Sequence, residues 1–285
     1  MPPPMLLKQA PLIHVMAQVH FSHLPLPEVE VHEALHRHMI EAGFPERVEA
    51  SREQMELAIH TTAGREPERS SHRIPRFVFK GAGERSLVEF RDDRLMLKTT
   101  DYGGHGDFLA QWMEVLDIFA KALPGFDQVL LHRMSLRYVD LIVPKPDEAL
   151  VALVTPALLP PALPDVEGAP LFGSTVKVVR TGENRHLRVM FEEILPQEGR
   201  LTKVLPDDLA EHDPACGLSI KGQPHWGNLS NKDAYGMLDI EHVHTATDKP
   251  ALGAVDKPKI FQQLHEQTRR AFWGVITDQA RQSWS

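Results

Sequence analysis

The stretch RIPRFVFKGAGERSLVEFRDDRLMLKTTDY, residues 73 to 102, decides the fold. Three strand-like runs, RIPRFVFK, SLVEFR and RLMLKTTDY, are separated only by the turn signals GAGE and Asp92-Asp93. Turns this short make neighbouring strands pair antiparallel. VEASREQMELAIHT, residues 48 to 61, extends the same pattern upstream.

The chain on either side supplies further strands and the helices that cover them. PLIHVMAQVHFS (11–22) alternates as a strand, with Leu12, His14, Met16 and Gln18 on one face and Ile13, Val15, Ala17 and Val19 on the other. LPEVEVHEALHRHMIEAGF (26–44) predicts a helix that starts at Pro27, carries an apolar stripe through Val31, Leu35, Met39 and Ala42, and stops at Gly43. DFLAQWMEVLDIFAKAL (107–123) predicts a second helix with Asp107 as its N-cap. LHRMSLRYVDLIVP (131–144) is a strand, LFGSTVKVVRTGENRHLRVMFEEIL (171–195) a hairpin turning at TGEN, and AYGMLDIEHVHT (234–245) another strand. KIFQQLHEQTRRAFWGVITDQARQSW (259–284) reads as one long amphipathic helix.

These elements predict an α+β fold. Antiparallel strands come from two similar β-hairpin/strand/helix halves, residues 1–144 and 171–285, and long amphipathic helices cover them. A proline-punctuated connector, 145–170, joins the halves into one structural unit. Hairpin connections in place of helical crossovers argue against a doubly wound nucleotide-binding fold. The polar span 196–232 is longer than an ordinary loop and is expected to be a lid, a partner-binding segment or partly disordered.

Composition narrows the function classes. A net charge of −8 lacks the global basic balance that announces nucleic-acid or anionic-membrane binding. A lone cysteine, Cys216, rules out an internal disulfide framework and suits a reducing compartment. No apolar run approaches the roughly 20 residues of a membrane span, and the opening residues lack the charge pattern of a leader. The expectation is a soluble cytoplasmic protein. Sixteen histidines are the one compositional hint of metal or proton chemistry.

Arg133, Ser135 and Arg137 share one face of their strand, and two guanidinium groups at this spacing suit a phosphate or carboxylate. Asp239 and Glu241 carry the same two-residue spacing, so cross-strand ion pairs are the competing reading. Tyr138 and Asp140 lie on the opposite face, where an aromatic packs and an Asp at a strand end caps. His242 and His244 point the same way and form half of a metal site, though they match no metal motif. Tyr102, His105 and Asp107 belong to the glycine-rich DYGGHGDF segment, whose amides at a helix start offer an anion cradle without the lysine of a phosphate loop. Lys257, Lys259, Arg269, Arg270 and Arg281 give the last helix a local positive excess near Trp273 and Trp284.

APLIHVMAQVHF, DDRLMLKTTDYGGHGDFLAQW, HRMSLRYVDLIVP, MLDIEHVH and LHEQTRRAFWGVITDQARQSW together resemble a sporadically distributed, largely uncharacterised prokaryotic protein family. Its members show an apolar-acidic opening strand, an Arg-x-x-x-Arg-Tyr strand followed by Asn or Asp, and a last helix containing Leu-His. Here His14 stands at the acidic position. The resemblance carries over no catalytic residue, and patchy distribution associates the family with mobile or defence-linked genes. The functional expectation is a non-enzymatic binding or adaptor protein whose partner is another protein, recognised through the sheet surface and the 196–232 segment. The alternative is a nucleic-acid-binding or phosphate-ester-processing effector built on Arg133, Arg137 and the nearby histidines. No cofactor is predicted, no membrane association is expected, and self-association stays open.

Overall fold

A computed structural model describes residues 7, 9–25, 29–58, 68–163, 165–167, 171–227, 229–230 and 233–285 of the chain. Its strands are β1 (Leu12–Phe21), β2 (Glu46–Ala58), β3 (Glu68–Lys80), β4 (Ser86–Arg91), β5 (Arg94–Thr99), β6 (Leu131–Ile142), β7 (Phe172–Gly182), β8 (Arg185–Ile194) and β9 (Tyr235–Thr245). They form one antiparallel sheet in the order β2-β3-β4-β5-β1-β6-β9-β8-β7. The helices are α1 (Val29–Glu41), α2 (His105–Ala122), α3 (Leu150–Leu153), α4 (Lys257–Val275) and α5 (Asp278–Ser283). The molecule is thus α+β. Among the described residues no helix is long and apolar enough to cross a membrane.

The Asp92-Asp93 turn joins β4 to β5, with Arg91 opposite Arg94, and GAGE joins β3 to β4. Consecutive strands therefore make the outer sheet, whereas β1, β5, β6 and β9 meet only by long-range pairing. On one face, Leu35 and Met39 of α1, Trp112, Leu116 and Phe119 of α2, and Phe261 and Leu264 of α4 bury the inward side chains of the central strands. Gly43 ends α1 with φ +89°, a left-handed conformation open to glycine, and the Phe44 N–H closes the turn on the Met39 carbonyl at 2.8 Å. The expected helix start at Pro27 lies outside the described residues, as do residues 59–61 of the expected second strand.

The opposite face is covered by the described part of 196–232. Leu201, Val204, Leu205 and Leu209 pack on Val139, Leu141, Tyr235 and Met237, while Cys216 packs on Val78 and Leu87. Both sheet faces are therefore buried at the centre, so β1 does not divide into one buried and one solvated side. A bulge between Leu12 and His14 also shifts the alternation read from the sequence. Leu12 packs toward the helices with Val15, and Ile13 joins the cluster beneath 196–232.

The C-terminal helix corrects the expectation of a single long element. It breaks after Val275: Ile276 bridges Val154, and Thr277 starts α5 by accepting the Ala280 N–H at 3.1 Å while its hydroxyl donates to the Ala152 carbonyl at 2.6 Å. A β-branched run at Val275-Ile276-Thr277 favours the extended backbone there, and docking on α3 fixes it.

Candidate functional site

On the face covered by 196–232, the two arginines of β6 have separate fates. β6 and β9 are neighbours, with Arg137 opposite Glu241 and Arg133 opposite Thr245. Arg137 reaches diagonally to Asp239, its Nε donating to Oδ1 at 2.7 Å, and also donates to Asp208 at 2.6 Å. Burial works against its charge, but these two carboxylates overcome that and hold its pKa above the ordinary value. Glu241 pairs with Arg188 of β8, which also donates to Asp239. Arg133 meets no carboxylate among the described residues; its guanidinium donates to His20 Nε2 at 2.9 Å, and Ser135 accepts from Gln18 at 2.7 Å. His20 is lowered to about 3 by burial and then by Arg133 and Arg94, and the same Nε2 also lies 2.9 Å from Gln18 Oε1.

The helix face gathers a second constellation where β1 begins, β5 and β6 end, and α2 starts. Tyr138 and Asp140 project from β6, Tyr102 from the turn before α2, His105 from the first residue of α2, and His265 from α4. The turn can bend into α2 because Gly104 adopts φ +147°, outside the range of ordinary side-chain-bearing residues. Gly104 is the N-cap and offers no side chain. Asp107 is therefore not the cap expected from the sequence; it lies two residues inside the helix and is exposed.

Asp140 is 3% exposed and makes no hydrogen bond or ion pair among the described residues, so the expected capping role is replaced by burial alone. Desolvation pushes its carboxyl up to about 8. At neutral pH it is a carboxylic acid with one O–H donor and one free acceptor. Beside it the Tyr138 hydroxyl lies 2.9 Å from His265 Nδ1 and 3.4 Å from the Tyr102 hydroxyl. Burial, followed by His105 and Arg269, lowers His265 to about 3; the neutral ring accepts the Tyr138 proton at Nδ1. Burial raises Tyr102 to about 12 and also raises Tyr138 well above its ordinary value. His105 stacks on His265 with ring centroids 3.7 Å apart, and its Nε2 donates to Gln262 at 3.0 Å.

Asp140, Tyr138, Tyr102 and His265 line an apolar recess of about 150 Å³ whose other walls include Leu12, Ile240 and Phe272. The recess opens onto a cleft of about 990 Å³ bordered by Arg85, Lys145, Lys221 and Arg269. Four cationic side chains there face one acidic one, Asp101, which is held by Arg85 at 3.2 Å. Lys145 donates to the Ser283 carbonyl, while Arg269 and Lys221 have no ion pair among the described residues. Arg269 borders both the recess and the outer cleft. The cleft is an anion-attracting mouth on a chain of net negative charge, with a ring-sized apolar floor.

The remaining candidates lie elsewhere. His242 and His244 both face the helices. His242 is engaged at both nitrogens, Nδ1 with the Leu264 carbonyl at 3.1 Å and Nε2 with Thr181 at 2.7 Å. Among the described residues no group of three or more His, Cys, Asp or Glu is placed to hold a metal ion. Of the sequence candidates, Tyr102 and His105 enter the cleft, and Arg133, Ser135 and Arg137 line the opposite sheet face. His265 was not singled out, although its signal was the Leu-His pair of the last helix. No protein-family model matches the chain, and no curated protein is significantly similar to it.

Proposed function

We propose that the chain is a cytoplasmic, non-enzymatic binding protein that takes an anionic small molecule in the cleft between α2, α4 and the end of the central strands. The single observation carrying this reading is Asp140, a carboxyl with no protein partner among the described residues, lining a recess whose mouth is cationic. Such a group takes its hydrogen bonds from solvent or from a ligand that enters the recess. Binding is favoured over proton-transfer catalysis because, of Asp140, Tyr102 and His265, only Asp140, near 8, titrates close to neutral pH, and His265, near 3, and Tyr102, near 12, supply it no relay. Two similar halves are part of the proposal. In support, β3-β4-β5 beside β1 and β7-β8-β9 beside β6 run in mirrored order about the β1–β6 pair, and the helices that follow them, α2 and α4, flank the cleft.

Calorimetric titration with phenyl phosphate and ribose 5-phosphate tests the reading. Both are expected to bind, and Arg269→Ala is expected to weaken them about ten-fold. Release of inorganic phosphate from either probe would overturn the non-enzymatic assignment, and absence of binding would overturn the cleft assignment.

A protein partner is the second reading, favoured by the outer edge of β7. Val176 and Val178 are 56% and 60% exposed on a strand with no outer neighbour among the described residues, and Lys177 and Arg180 are its only charges. Such an edge accepts an added strand, and its basic character suits an acidic one from another protein. Sedimentation of the isolated chain as a monomer is expected; a dimer dissolved by Val178→Lys would assign the edge to a second copy instead.

A further inference from the structure

We infer, resting on the cleft reading above, that the ligand is a pyrimidine nucleotide: its ring enters the recess and pairs edge-on with the Asp140 carboxyl, while its phosphate meets Arg269 and Lys221.

Size selects the ring. A recess near 150 Å³ with apolar walls has the volume of one benzene-sized ring, so a single six-membered ring fills it, whereas a fused purine would project into the outer cleft. Hydrogen bonding then selects among such rings. The uncharged Asp140 carboxyl presents an O–H donor beside a carbonyl acceptor, and its complement is an edge with one acceptor next to one donor. Uracil has that edge in its ring N–H and adjacent carbonyl, and cytosine has it in its ring nitrogen and amino group. A hydrocarbon ring would displace solvent from the carboxyl and offer it no hydrogen bond in return. Phe272 and Tyr102 supply aromatic surface on the recess wall for the ring.

Charge and reach select the rest of the molecule. The outer cleft, at about 990 Å³, is much larger than the recess and accommodates a sugar and phosphate beyond the ring. Arg269 stands at the junction, its guanidinium uncommitted among the described residues, and a planar fork of donors matches a phosphate bidentately. Lys221 lies on the exposed rim, where a second phosphate oxygen or a longer phosphate chain is met by a mobile ammonium.

The experiment is calorimetric titration near pH 6.5 with uridine monophosphate, cytidine monophosphate, adenosine monophosphate, phenyl phosphate and ribose 5-phosphate. A pyrimidine nucleotide is expected to bind about ten-fold or more tightly than phenyl phosphate, the discrimination that one two-bond edge contact supplies. Asp140→Asn is expected to keep the preference, because an amide presents the same donor and acceptor. Asp140→Leu is expected to abolish it while ribose 5-phosphate still binds. Ile240→Phe fills the recess and serves if Asp140→Leu does not fold; it is expected to exclude the pyrimidine ring and spare ribose 5-phosphate. Equal binding of phenyl phosphate and the pyrimidine nucleotides, a preference for the purine, or a preference that survives both Asp140→Leu and Ile240→Phe overturns this inference and leaves the cleft reading standing. Failure of every phosphate to bind overturns both.

Discussion

Arg133 and Arg137 lie on the same face of β6, four residues apart, yet only Arg137 is locked between two carboxylates. Asp239 is fully buried, so removing its main cation leaves a carboxylate with Arg188 alone. Arg137→Ala is therefore expected to cost about 3 kcal/mol in urea unfolding, against less than about 1 kcal/mol for Arg133→Ala. Equal costs would show that the pairing does not hold the sheet. That the arginines share one face of their strand and Asp239 and Glu241 one face of another was legible in the sequence, but the connection of Arg137 was not, because Asp208 arrives from a remote segment. Tyr138 and Asp140 were legible only as an inward aromatic and a strand-end acid. Their real setting depends on α4, which approaches from more than a hundred residues away and brings His265 against Tyr138.

Among the elements, the hairpins followed directly from their turn residues, since Asp92-Asp93 and TGEN constrain the strands on either side locally. The β1 bulge and the break between α4 and α5 did not, because each is fixed by tertiary partners: β6 for the first, α3 for the second. The 196–232 segment was legible as polar and long, yet its described part lies on the sheet, pinned where the Thr202 and Lys203 N–H groups donate to the Tyr235 hydroxyl at 3.1 and 2.9 Å. That hydroxyl in turn donates to the Lys203 carbonyl at 2.9 Å. Tyr235→Phe removes all three contacts while keeping the buried ring. It is expected to lower stability by about 2 kcal/mol and to speed limited proteolysis within 196–210 ahead of the rest of the chain. An unchanged cleavage pattern would mean that the segment is held by its apolar contacts alone.

Across the whole molecule, strand order was beyond local pattern: nothing in the sequence of β1 says that it sits between β5 and β6. That order concentrates titratable groups in the interior and sets the pH response. His14, His20 and His265 are each lowered to about 3, mainly by burial, so each gains a proton on unfolding below its ordinary pKa of 6.5. Asp140, raised from 3.8 to about 8, loses one on unfolding between those values. From pH 6.5 down to about 4 these four groups take up a net two protons, a fall in stability of about 2.7 kcal/mol per pH unit, and His32, His105, His242 and His244, also lowered by burial, add to it in the same direction. From pH 6.5 up to about 8 Asp140 acts alone, and stability falls by about 1.4 kcal/mol per unit as pH rises. Unfolding measured across this range is expected to show a maximum near pH 6.5, and Asp140→Asn is expected to flatten the alkaline limb and to steepen the acid limb by about 1.4 kcal/mol per unit, because the proton Asp140 loses on unfolding no longer offsets those the histidines gain. A maximum that stays put with an unchanged alkaline slope in the variant would remove Asp140 from this account.

The central claim is that Asp140 is an uncharged, unpartnered acid awaiting a ligand edge. Carbon-13 NMR of its side-chain carboxyl, assigned by comparison with Asp140→Asn, reads this directly through a pH titration with and without uridine monophosphate. The account predicts a midpoint near 8 in the free protein and a higher one with the nucleotide, since a ligand that pairs with the protonated form stabilises it. A midpoint near the ordinary aspartate value, unmoved by the nucleotide, would contradict it.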